Sequence, residues 1–140
     1  METDVSFFIE NRVLDSFPHE EELKALTLEI LREENKSGEI NVILTNDEHV
    51  RQLNRDFRKK DKTTDVLSFH WDEPDFLGEI YISEQQVRRQ APRFENTFEN
   101  ELKRMYVHGL LHLCGYDHME PGPRLRMRQR EETILGWKIY

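Results

Sequence analysis

Apolar and polar positions follow two rhythms along the chain. Val5-Ser6-Phe7-Phe8-Ile9 and Ile40-Asn41-Val42-Ile43-Leu44 are short β-branched and aromatic runs, and they predict strands. Between them Leu23, Leu26, Ile30 and Leu31 recur at helical spacing. That pattern predicts a helix opening at Ser16-Phe17-Pro18, running to about Lys36 and stopping at Gly38. Thr45-Asn46-Asp47-Glu48 has the capping-box form, in which the Thr oxygen and the Glu carboxylate satisfy free helical amides. The helix it starts carries Val50, Leu53 and Phe57 on one stripe and Arg51, Arg55 and Arg58 on another.

Asp65-Val66-Leu67-Ser68-Phe69 and Glu79-Ile80-Tyr81-Ile82 predict two more strands, separated by a loop holding Pro74 and Gly78. Ser83-Glu84-Gln85-Gln86 repeats the capping pattern, and the chain then reads as helical over about 84–91, 97–114 and 123–135. Strand, helix, strand, helix, two strands and then helices point to an α+β or α/β arrangement. We take it as α+β: one domain over residues 1–140, a four-stranded mixed sheet packed against about five helices.

Composition narrows the class. A length of 140 residues suits one domain, and 14 aromatics argue against disorder despite a charged share of 34%. The single cysteine, Cys114, excludes an intramolecular disulfide and leaves no thiol cluster for zinc. No apolar run reaches membrane-span length, and Met1-Glu2-Thr3-Asp4 is no signal peptide, so we expect a soluble, cytoplasmic protein without a membrane partner. The net charge of −8 is uneven: residues 1–50 hold 4 Lys/Arg against 13 Asp/Glu, residues 51–140 hold 16 against 15. An acidic total argues against strong nonspecific nucleic-acid binding but permits a local anion site. One such place is the run Arg51 to Lys62, with six cations and two anions; another is Arg124, Arg126, Arg128 and Arg130. Either run taken alone reads as a solvated helix face.

The chemistry concentrates in Val107-His108-Gly109-Leu110-Leu111-His112-Leu113-Cys114-Gly115-Tyr116-Asp117-His118. His108 and His112 are four apart, so on a helix two imidazoles reach one ion from the same face. On a continuous helix His118 would sit roughly 9 Å beyond His112 and on the far side. Gly115 removes that objection, because glycine ends helices in left-handed conformations and lets the chain double back. Three neutral histidines suit one zinc ion with an open fourth position, the catalytic arrangement, at the end of a late helix. Nickel, cobalt and copper also accept imidazole. Cys114 falls on the opposite helical face and reads as a packed thiol, His19 and His49 as solvated residues near helix starts, and His70 as an exposed strand end. The spacing also matches metzincin proteases, but their general-base glutamate is replaced here by Gly109.

In one-letter code, residues 108–118 fit H-G-x-L-H-L-x-G-Y-D-H at every specified position. Together with the block Leu53 to Phe69 and the block Gly78 to Ser83, this resembles the bacterial YbeY-type rRNA maturation factors, which are metal-dependent endoribonucleases. The likeness covers nearly the whole chain. Thr63 stands where proline is common, and His70-Trp71 where proline and phenylalanine are usual. The resemblance implies zinc on His108, His112 and His118, a cleft into which Arg58 projects, and catalytic roles for Arg58 and His112. It implies single-stranded ribosomal RNA as substrate, notably at the 16S 3′ end, acting in maturation and quality control. The ribosomal small subunit or its proteins are implied partners, and no small organic cofactor is. Arg55, Lys59 and Lys60 would position the RNA backbone without reading sequence. Asp117 adjoins a ligand and could orient it. Two rival readings are a noncatalytic ribosome-assembly module with a structural zinc and, less favoured because of Gly109, a metallopeptidase.

Overall fold

A computed structural model describes residues 5–11, 18–116 and 121–137. The strands β1 (Val5–Asn11), β2 (Gly38–Thr45), β3 (Val66–Glu73) and β4 (Phe76–Ser83) lie in the order β1-β2-β4-β3. The first two pairings are parallel and β3 runs antiparallel to β4, so the sheet is mixed. Five α-helices are described: α1 (Glu20–Glu33), α2 (Asp47–Arg58), α3 (Glu84–Gln90), α4 (Phe98–Leu113) and α5 (Pro121–Leu135), with a 3-10 turn at Ala91–Phe94. The architecture is α+β, and no described helix is long and apolar enough to cross a membrane.

The period of two along a strand divides the sheet into two faces. Ile40, Val42 and Leu44 of β2 stand in register with Gly78, Ile80 and Ile82 of β4, and their buried side chains form one core with Leu23, Ile30 and Leu31 of α1 and the apolar face of α4. Met127 and Leu135 of α5 join it. Tyr81 and Phe69 alternate onto the other face, where His49 and Phe57 of α2 meet them edge-on at 5.6 Å each. The start of α4 is tied down by a buried ion pair. Glu101 accepts from Arg104 Nε at 2.8 Å, from Gln90 Nε2 at 2.6 Å and from Asn96 Nδ2 at 2.9 Å, so this buried charge has partners on three sides.

Several boundaries differ from the periodicity. The expected opening at Ser16-Phe17 lies outside the described residues, and α1 begins at Glu20 after a left-handed His19. It stops at Asn35 rather than Gly38: Asn35 takes φ 57°, its N–H bonds Arg32 O at 3.2 Å and the Lys36 N–H bonds Leu31 O at 2.8 Å. The cap of α2 is Asn46, whose side chain accepts from the His49 N–H at 2.9 Å, while the Thr45 hydroxyl instead meets His49 Nδ1 at 3.0 Å. His49 is therefore half-buried rather than solvated. Phe57, read as part of an apolar stripe, is 68% exposed, because α2 reaches the sheet edge at its last turn. The loop expected between β3 and β4 is a two-residue turn at Pro74 and Asp75, closed where Trp71 and Phe76 meet at 5.6 Å. Helix α5 starts at Pro121, a position where proline's missing N–H costs nothing.

Candidate active site

Thr97 caps α4 by accepting from the Asn100 N–H at 3.1 Å. With Tyr106, Leu110 and Leu113 turned into the core, the half-buried residues of the last turns are His108 and His112. Their ring centroids are 4.8 Å apart with planes at 82°. The i, i+4 reading of the pair thus holds in space. His108 Nδ1 lies 2.5 Å from Glu131 Oε1 on α5.

The helix ends where the glycine predicts. Gly115 has φ 101°, its N–H bonds His112 O at 3.0 Å, and the Tyr116 N–H bonds Leu111 O at 3.0 Å. These two bonds are the closing pair of a left-handed cap. The third candidate ligand, His118, and its neighbour Asp117 lie outside the described residues. Among the described residues no group of three possible ligands converges. The Cys114 thiol packs against the core, and burial, then the nearby Glu34 charge, push it up to about 12.

A cleft of about 780 Å³ opens beside the histidine pair, between α4, β3 and the loop after α2. His108 and His112 line it together with Arg58, Lys60, Lys62, Asp65 and the β3 residues Val66 to His70. The Arg58 Nη2 donates to Ser68 O at 2.7 Å and the guanidinium lies 5.3 Å over the Phe69 ring, so the exposed cation is held against the cleft wall. The wall is joined to α4 by Ser68 Oγ, which donates to Gly109 O at 2.9 Å. Arg58 and Lys60 are thus brought beside the histidines. Arg55 and Lys59 do not line the cleft: Arg55 pairs with Asp56 at 3.3 Å on the surface, and Lys59 sits at φ 60° where it ends α2. Exposed His70 lines the cleft mouth.

Four residues of the site, Lys62, Asn54, Ser68 and Glu131, are not singled out by any motif in the sequence. Lys62 is one cation of the basic run. Asn54 is buried and its Nδ2 donates to Lys62 O at 2.9 Å, shaping the loop that carries the cations. Ser68 fastens the cleft wall to α4. Glu131 carried one usable signal, as a charged residue four from Met127 and four from Leu135 on an apolar stripe. Thr63 donates to Asp47 Oδ1 at 3.3 Å.

A profile of the family described as Endoribonuclease YbeY matches residues 8–137. The Endoribonuclease YbeY of Desulfitobacterium hafniense is 42% identical over 118 residues, which is 76% of this chain and 75% of that one. The protein of the same name from Heliobacterium modesticaldum is 44% identical over 112 residues, covering 69% and 68%. A solution structure of a Thermotoga maritima protein superposes with a TM-score of 0.64 at 34% identity, over 94% of this chain and 89% of that one. The family profile spans both the histidine motif and the basic block that the fold gathers around one cleft, and this chain belongs to the endoribonuclease YbeY family.

Proposed function

We propose that this chain is a metal-dependent endoribonuclease that cuts single-stranded ribosomal RNA during rRNA maturation, including the 16S 3′ end, and ribosome quality control. Its setting is the cytoplasm, with the small ribosomal subunit or its proteins as partners. The observation that carries the reading is the shared cleft of the His108–His112 pair and the cations Arg58, Lys60 and Lys62. The donor set suits a borderline transition metal such as zinc, one per chain, since neutral imidazoles are its preferred nitrogen ligands. His108, His112 and His118 would hold it. Bound there, it supplies Lewis acidity at neutral pH.

The chain's own residues do the rest. Phosphodiester cleavage gathers negative charge on the phosphate oxygens, and fixed donors aimed there act without reorganising. Arg58 is such a donor: one N–H is anchored on Ser68 O, and the rest of the fork remains for phosphate. Lys60 and Lys62 meet neighbouring phosphates as point charges. Phe57, exposed beside Phe69 and Arg58, offers a face on which an unpaired base can stack, which favours single strands over duplex.

A peptidase reading is disfavoured by packing as well as by chemistry. Gly109 lies against Ile80, Ser68 and Val66, leaving no room for a general-base side chain. The test is cleavage of single-stranded RNA by zinc-loaded protein beside His112→Ala and Arg58→Ala. Both variants should lose about 10²-fold or more in kcat. Equal cleavage by all three overturns the proposal and points to a contaminating nuclease.

A further inference from the structure

Glu131 occupies a place where the helix pattern calls for an apolar side chain. It lies between Met127 and Leu135 on the inner stripe of α5, and it is 4% exposed against 1% and 7% for those two. An ionised carboxylate withdrawn from water is costly unless a donor meets it. The donor here is an imidazole rather than a Lys or Arg: His108 Nδ1, 2.5 Å away across 23 residues of sequence. A neutral imidazole has one N–H and one lone pair, and an ionised carboxylate can only accept. With the carboxylate as acceptor, the proton of a neutral ring belongs on Nδ1 and the lone pair on Nε2.

We infer that Glu131 is a positioning residue for the metal-binding ring of His108, fixing its Nδ1–H tautomer and its orientation from α5. The inference rests on the metal reading above and adds to it a residue outside the histidine motif. Carboxylates that accept from a ligating imidazole fix its ring and raise its basicity, and removing them typically weakens metal affinity by about 10–100-fold. The same contact links α5 to α4, while Arg130, whose Nε donates to Glu34 Oε1 at 3.1 Å and whose Nη2 pairs with Glu33, ties α5 to the end of α1.

Two variants separate positioning from packing. Glu131→Met continues the apolar stripe and has no oxygen acceptor, whereas Glu131→Gln keeps an amide oxygen that can accept from Nδ1–H. Zinc affinity is read by competition with a chromophoric chelator. The His108 tautomer is read in metal-free protein by long-range proton–nitrogen NMR. Glu131→Met should still fold with a cooperative melting transition, bind zinc about 10–100-fold more weakly and lose the Nδ1–H signature. Glu131→Gln should recover the tautomer and part of the affinity. Wild-type affinity in folded Glu131→Met, or an Nε2–H tautomer in wild-type protein, overturns the inference. Wild-type protein that binds no zinc overturns the metal reading instead, and the tautomer then still decides the Glu131–His108 contact.

Discussion

Gly109 faces the sheet from α4. A Cβ built there would stand 2.9 Å from Ile80 Cγ2, 3.0 Å from Ser68 Oγ and 3.1 Å from Val66 Cγ2, closer than packed atoms tolerate. Two of those neighbours, Ser68 and Val66, are β3 residues lining the cleft, so relief of the clash shifts side chains on the wall beside the histidine pair. Gly109→Ala should cost about 1–3 kcal/mol in urea unfolding, the range for overpacked cores. It should also weaken the Ser68–Gly109 bond that ties wall to helix. Arg58 makes a different demand, for shape rather than space. One nitrogen holds the Ser68 carbonyl while the plane lies over Phe69, and a lysine ammonium cannot do both and still present a fork to phosphate. Arg58→Lys should therefore lose about 1.4–2.8 kcal/mol of transition-state stabilisation, a fall of about 10–100-fold in kcat/KM, with RNA affinity nearly kept.

The elements are joined at their ends, and Asp47 shows how. It sits in the first turn of α2, where the helix dipole favours a negative charge, and receives Ser83 Oγ at 2.6 Å from the end of β4 and the Arg89 guanidinium at 2.7 Å from the last turn of α3. Burial raises its pKa, but the bonds from Ser83 and Arg89, with the Arg89 charge, outweigh this and hold the carboxyl below its usual range. A lowered folded pKa means stabilisation present above the unfolded value and lost as pH falls through the folded one. Asp47→Asn should cost about 1–2 kcal/mol at pH 7, and its gap from wild type should close as pH falls below about 3.9. The helix stripe of Leu23, Ile30 and Leu31 was legible because it is a local period in the chain, and so was the stop at Gly115. Asn46 taking the cap from Thr45 was not, since either oxygen fits the pattern and the choice depends on His49 turning toward Tyr81. Strand order and the Glu131–His108 contact join residues far apart in the chain, and no local period encodes them. Lys59 is an intermediate case: its left-handed φ of 60° suits glycine, yet the sequence there reads only as basic. Lys59→Gly should leave stability unchanged or raise it by up to about 1 kcal/mol, the relief of that conformation less the entropy of an added glycine, by thermal unfolding.

At the scale of the molecule, charge is unevenly spread along the chain. Of the net −8, the first 50 residues contribute −9, including the Glu20-Glu21-Glu22 turn that opens α1, while the cleft gathers Arg58, Lys60 and Lys62. An acidic body discourages RNA from adhering along the surface and leaves the cleft as the place where phosphates replace counterions. The number of phosphates neutralised should then be small and set by those three cations. For single strands the slope of log K against log salt is about −0.7 per phosphate, so three contacts predict a slope of about −2. Fluorescence anisotropy with a short single-stranded RNA, from about 50 to 300 mM KCl, measures it. Lys60→Ala and Lys62→Ala should each make the slope shallower by about 0.7, whereas Lys24→Ala on the acidic side should leave it unchanged. A slope well beyond −2 that neither cleft lysine alters would place the RNA elsewhere on the surface.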